Sequence, residues 1–233
     1  MHHLNVTFIR HGETQSNVLG LTSGHSDVLL SPNGWDMLKA LKSQYHYPSV
    51  EKVYASPAIR CRETASVIFP NQTPHLVENF WEFDFGIYDN QPVTELFKTV
   101  DLNKWLNQDK DLYFTGGESL LEASFRARSA MTRVICDALE NDLHNVAIVA
   151  HGEIFSLLLQ HCLITDEPRE SFILCPNGMG YTVTLNAEDW FDHQKFYFEC
   201  FVPEGAPRPR AEDSPYFSNV DADMIDDSIP THE

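Results

Sequence analysis

Val146-Ala-Ile-Val-Ala-His-Gly152 is five apolar residues in a row, closed by a histidine and a glycine. A pentad with no polar alternation predicts a strand covered on both faces, as in a parallel sheet packed between helices. A second segment ends in the same way, Leu4-Asn-Val-Thr-Phe-Ile9 running into Arg10-His11-Gly12. Two strands that each close on His-Gly predict two imidazoles side by side at the carboxyl edge of a sheet, where α/β proteins gather their ligands. Glycine at both positions lets the backbone approach closely and leaves room for an oxyanion between the rings.

Working outward from these two segments, Leu30-Ser-Pro-Asn-Gly34 predicts a helix start, with Ser31 as cap and Pro32 in the first turn. Val50 to Ala55 reads as a strand, and Ala58 to Ile68 as a helix carrying Arg60, Arg62 and Glu63. A short run at His75 to Val77 leads into the irregular aromatic stretch Phe80-Trp-Glu-Phe-Asp-Phe-Gly-Ile-Tyr88. Pro92 to about Asn107 carries a loose helical pattern. Ser119 to Asn141 carries a strong one, with a stripe of Ala123, Ala127, Ala130, Val134, Ala138 and Leu139, and Ser119 and Glu122 at capping-box spacing. Ile154 to Cys162 continues as helix, Tyr181 to Leu185 as strand, and Phe196 to Phe201 as an edge strand. Strands alternating with helices predict a three-layer α/β/α sandwich with a largely parallel mixed sheet. The expected division is a domain over residues 1–202 and an acidic, Pro-rich tail over 203–233, in which eight acids face two arginines. Tyr216, Phe217 and Met224 are the side chains able to anchor that tail.

The formal charge of −18 sets net repulsion against any polyanion, so nucleic acid is not an expected partner. A small phosphorylated metabolite is compatible with that sign, because a few arginines dominate the potential inside a narrow cleft. No apolar run is long enough to cross a bilayer, and the start, Met1-His-His-Leu4, has no basic region followed by an apolar stretch. The five cysteines form no CxxC pair and are odd in number, which points to free thiols and a cytoplasmic setting. Oligomeric state is left open by the pattern.

His11 and His151, with Glu13, Glu82 or Glu153 nearby, offer nitrogen and oxygen ligands for a metal. Arg10 and Arg60, expected at the same point, raise the cost of a cation but provide planar forks for a phosphoryl group. Neither a metal nor a cofactor is therefore expected. A histidine attacks only through an unprotonated nitrogen, so a backbone acceptor on the other nitrogen is anticipated. The arginines should hold the attacking ring neutral, while the second imidazole serves best when charged. Glu82, set among Phe80, Trp81, Phe83 and Phe85, should be partly desolvated and raised in pKa. The alternative for Glu82 is a boundary glutamate beside an aromatic core patch.

Arg10-His11-Gly12-Glu13-Thr14 with Asn17, Ala55-Ser-Pro-Ala-Ile-Arg60-Cys-Arg-Glu-Thr64-Ala65, Glu82-Phe-Asp-Phe-Gly86, Gly117-Glu-Ser119 and His151-Gly152 together resemble the ordered landmarks of the histidine phosphatase superfamily, in its phosphoglycerate-mutase-like branch. The resemblance implies that His11 becomes phosphohistidine, that Arg10, Asn17, Arg60 and His151 surround the phosphoryl group, and that Glu82 serves the leaving oxygen. Arg62 falls outside the matched pattern and is expected at the surface. Only about 30 residues separate Gly86 from Gly116, fewer than in typical cofactor-dependent mutases of the family, which favours hydrolysis over transfer. In organisation the chain is similar to alpha-ribazole phosphatases and broad metabolite phosphatases. It departs from them where Ile87-Tyr-Asp-Asn90 replaces the usual Trp-Glu-Gly.

Overall fold

A computed structural model describes residues 3–101, 104–105, 109, 111–167 and 175–207. Its strands are β1 (Leu4–Arg10), β2 (Lys52–Ala55), β3 (His75–Leu76), β4 (Asn145–Ala150), β5 (Leu163–Ile164), β6 (Gly180–Leu185) and β7 (Phe196–Val202). They form one seven-stranded sheet in the order β3-β2-β4-β1-β6-β7-β5. All neighbours pair in parallel except β6, which runs antiparallel to both β1 and β7. The helices are α1 (Gln15–Val18), α2 (Pro32–Gln44), α3 (Ile59–Ile68), α4 (Val93–Phe97), α5 (Leu120–Glu140), α6 (Gly152–Cys162) and α7 (Ala187–Phe191).

The apolar pentad explains the layering. Val146, Ile148 and Ala150 of β4 join Val6 and Phe8 of β1 in one core, under α5 and α6. Ala147 and Val149 join Ile9 in a second core, under α2 and α3. Side chains alternate across a strand, so a strand apolar at every position feeds two cores at once. Helix α5 lays Leu120, Ala123, Ala127, Ala130, Met131, Val134, Ile135 and Ala138 on the sheet. Its alanines let the helix come close, and each buried Val, Ile or Met contributes about 1.5–3 kcal/mol. Both predicted caps are present: Ser31 Oγ accepts from Gly34 N–H at 2.9 Å, and Ser119 forms a capping box with Glu122.

The elements differ from the sequence reading in three respects. The helix expected over 92–107 ends at Phe97, while Trp105 packs with Phe83, Phe85, Phe97 and Phe114. Residues 104–105 are again helical, Trp105 N–H donating to Asp101 O at 3.0 Å, and residues 102–103 and 106–107 of the expected span lie outside the described residues. Strand β7 is not the edge, because the two-residue β5 pairs along its first residues. Helices α1 and α7 are too short to leave a periodic signal and exist through their caps, Thr14 and Asn186. Pro203 to Pro207 of the expected tail are described, and Glu204 exchanges backbone hydrogen bonds with His46. Residues 208–233, with Tyr216, Phe217 and Met224, lie outside the described residues. Among the described residues no helix is long and apolar enough to cross a membrane.

Candidate active site

Strands β1 and β4 are hydrogen-bonded neighbours with Arg10 opposite Ala150, so the residue after each strand falls at one place. His11 N–H donates to Ala150 O at 2.9 Å, and the two imidazole centroids are 5.3 Å apart, edge to face. His11 Nδ1 lies 2.8 Å from Gly12 O. A carbonyl only accepts, so Nδ1 carries the hydrogen and Nε2 keeps its lone pair. The peptide that follows His11 is fixed by Gly12 N–H donating to Thr64 Oγ1 at 2.8 Å, and His11 O accepts from Asn177 Nδ2 at 2.9 Å. Burial, then the charges of Arg60 and Arg10, hold the His11 pKa well below 6.5 against the opposing bond to Gly12.

His151 is wholly buried. Its Nδ1 lies 3.2 Å from Arg60 Nη2, which can only donate, so Nδ1 accepts and Nε2–H donates to Ser56 Oγ at 2.8 Å. Burial, Arg60 and His11 hold its pKa well below 6.5. The expected contrast of one neutral and one charged imidazole is not found, since burial and Arg60 lower both pKa values. Both rings are neutral, because one guanidinium and a dry environment act on both. Cys61 Sγ sits 3.6 Å from His151 Nε2, but burial pushes its thiol up to about 12, so it stays protonated and unreactive.

Arg60 is fully buried, unusual for arginine, and its position on α3 brings it under the loop between α1 and α2. Its Nη1 donates to Ser26 O at 2.9 Å, and Nη2 to Ser23 O at 3.1 Å and Gly24 O at 2.9 Å. That loop is tied in turn to Asp89, whose carboxylate accepts from Gly24 N–H at 2.7 Å and from Ser26 N–H and Oγ at 2.8 Å. The altered segment after Glu82 thus retains a carboxylate for this loop. Asn90 follows it in the left-handed region at φ 60°, where asparagine is the best tolerated residue after glycine. Arg10 Nη1 donates to Cys175 O at 2.8 Å. Arg10 Nε, Arg60 Nε and Ser23 Oγ are buried with no hydrogen-bond partner among the described residues. The charges of Arg60 and Arg10 both act on His11, and two guanidinium groups beside an imidazole suit an oxyanion. Among the described residues, no group of three or more His, Cys, Asp or Glu could hold a metal ion.

Asn17 Oδ1 accepts from Thr14 N–H at 3.0 Å and from Thr14 Oγ1 at 3.1 Å, closing the cap of α1. Glu13 organises the same loop by accepting from Ser31 Oγ at 2.7 Å. Arg62 is exposed, as its position on α3 predicts.

Glu82 is buried, with Oε1 accepting from Phe83 N–H at 3.0 Å and Oε2 from Glu153 N–H at 3.4 Å. Burial raises its pKa against those bonds and the arginine charges. Glu153, at the start of α6, is pushed up to about 8 by burial and by Glu82. Phe80, Phe83 and Phe85 are core residues, as the packing alternative for the aromatic stretch anticipates. Sequence reasoning missed Asn177, which holds His11 O, and Arg126, which holds the Glu82 segment, and it quoted Ser56 only as a landmark and not as the partner of His151.

A model of the histidine phosphatase superfamily (branch 1) matches residues 6–191. An adenosylcobalamin/alpha-ribazole phosphatase of Salmonella typhimurium is 27% identical over 164 residues, which is 69% of this chain and 80% of that protein. A putative phosphoserine phosphatase 2 of Hydrogenobacter thermophilus is 30% identical over 162 residues, 67% of this chain and 76% of that one. The alpha-ribazole phosphatase of Shigella flexneri shares the fold with a TM-score of 0.65 at 23% identity, over 84% of this chain and 95% of that one. A phosphoglycerate mutase of Bacillus anthracis shares it with a TM-score of 0.73 at 16% identity, over 85% and 92%. The family match spans both His-Gly strand ends, Arg60 and Glu82, and the chain belongs to branch 1 of the histidine phosphatase superfamily.

Proposed function

We propose that the protein is a metal-independent phosphatase that hydrolyses small phosphomonoesters through a phosphohistidine at His11. The lone pair of His11 Nε2 attacks phosphorus as the ester P–O bond breaks, and Glu82 gives its proton to the departing oxygen. Glu82, now ionised, takes a proton from water, whose oxygen attacks phosphorus, breaks the P–N bond and releases inorganic phosphate. Arg10, Asn17, Arg60 and His151 surround the phosphoryl oxygens. A bound dianion offsets the charge of Arg60 and thereby favours protonation of His151.

The observation that carries this reading is the tautomer of His11: Gly12 O takes the Nδ1 hydrogen and leaves Nε2 nucleophilic in the field of Arg60 and Arg10. Two arginines at that point favour an anion over a metal cation. The relatives' names, alpha-ribazole and phosphoserine phosphatases, point to a small phosphorylated metabolite as the substrate class. In this reading residues 1–202 are the catalytic domain and 203–233 an appended acidic tail. The test is a panel of small phosphomonoesters, with phosphate release and alkali-quenched labelling of His11, which preserves the acid-labile P–N bond, measured together and His11→Ala as control. Absence of both turnover and label in the wild-type protein refutes the proposal. Passage of label to a second hydroxyl in preference to water makes the protein a mutase instead.

A further inference from the structure

The segment that carries Glu82 has no ladder of its own: residues 78–80 and 86–88 are short 3-10 turns, and residues 81–85 are irregular. Three of its carbonyls are held from outside by one side chain, Arg126 on the second turn of α5. Arg126 Nη1 donates to Asn79 O at 2.9 Å and to Trp81 O at 2.6 Å, and Nη2 donates to Glu82 O at 3.2 Å. The remaining donors go to Glu118, Nε to Oε2 at 3.2 Å and Nη2 to Oε1 at 2.5 Å. A guanidinium has five N–H groups, and all five are engaged. Arg126 has no donor left for a substrate, so it acts through the protein.

Glu118 closes the other side of the segment. Its Oε1 accepts from Asp84 N–H at 3.0 Å, and its own N–H donates to Asp84 O at 3.1 Å. Gly117 makes this approach possible, because a Cβ there would lie 2.0 Å from Asp84 O. Glu82 is therefore bracketed, with its own carbonyl and those of residues 79 and 81 on Arg126 and residue 84 on Glu118. The anchor is rigid, since α5 buries Ala123, Ala127 and Ala130 against the sheet that carries His11.

We propose that Arg126, locked by Glu118, is a positioning residue that sets the Glu82 carboxyl at the leaving oxygen, so that proton delivery depends on a residue that touches no substrate. This rests on the reading of Glu82 as the proton donor. A purely architectural Arg126 would on removal weaken the fold and slow all substrates alike. A positioning Arg126 would on removal slow only substrates that need the proton. The test compares single-turnover phosphorylation of His11 by an alkyl phosphate and by 2,4-dinitrophenyl phosphate, whose leaving group departs without protonation.

In Arg126→Gln the alkyl reaction should slow by about 100-fold, within the usual worth of general acid catalysis, and the dinitrophenyl reaction by less than about threefold. Arg126→Lys should fall between, because one ammonium cannot span three carbonyls and a bidentate carboxylate. Glu118→Gln should reproduce the pattern in weaker form. Burst amplitude counts folded sites, so partial unfolding lowers the amplitude and leaves the rate ratio readable. Equal slowing of both substrates, or no slowing of either, overturns the positioning role. Absence of both turnover and His11 label in the wild-type protein refutes the phosphohistidine reading itself, a result distinguishable from either.

Discussion

Replacing Thr64 by valine removes one oxygen, leaves the volume nearly unchanged, and tests what holds His11 in place. Thr64 is fully buried on α3, and its Oγ1 accepts from Gly12 N–H at 2.8 Å while donating to Arg60 O at 2.7 Å. Valine leaves the Gly12 N–H buried with no acceptor, which costs about 1–3 kcal/mol. A loss near 2 kcal/mol lowers the melting temperature by roughly 4–8 °C for a chain of this size. The same peptide orients the His11 ring, since Gly12 O takes the Nδ1 hydrogen. Misplacement of the ring by a fraction of an ångström should reduce phosphohistidine formation by about 10- to 100-fold. Thr64→Ser is the complementary variant: it keeps the oxygen, loses a methyl worth roughly 1 kcal/mol, and should retain near-wild-type activity. Urea unfolding at constant m-value gives the stability and single-turnover labelling gives the rate. A valine variant as stable and active as wild type, or a serine variant as impaired as valine, refutes the argument.

Glu82→Gln should lower turnover of alkyl phosphates by about 10²- to 10⁴-fold, and full turnover would remove Glu82 from the chemistry. Because His11 and His151 stay neutral when folded but titrate near 6.5 once unfolded, stability is fully present above that pH. As pH falls below 6.5 it should decline by up to about 1.4 kcal/mol per pH unit for each histidine. Glu153 acts in the opposite sense, its stabilisation complete below 4.5 and lost as pH rises through about 8. His151→Asn should therefore lower the pH slope of stability between pH 5 and 6.5 by up to about 1.4 kcal/mol per pH unit, and an unchanged slope contradicts the assignment. Asn90→Val should destabilise by about 1–2 kcal/mol, because a β-branched residue resists φ 60°, whereas Asn90→Gly should be nearly neutral by the same urea assay.

The sequence by itself determined the layered fold and the central pair of histidines. Val146 to Ala150 is apolar at every position because both faces of β4 are covered, and that pattern is local, so it is legible without coordinates. Caps at Ser31 and Ser119 were legible for the same reason. The Arg60 and Glu82 positions came from ordered motifs. Only the tertiary structure decided the protonation states and the supports. Both imidazoles being neutral follows from shared burial and one arginine acting on two rings that lie 140 positions apart in the chain. Arg126 and Glu118 reach residues 79–84 across about 40 positions, through a guanidinium whose five donors carry no sequence signature. Periodicity records what a residue does for its own element. The electrostatics of the cleft, and the clamp on Glu82, depend on which elements the sheet brings together, and that was settled only by the order in which its strands pair.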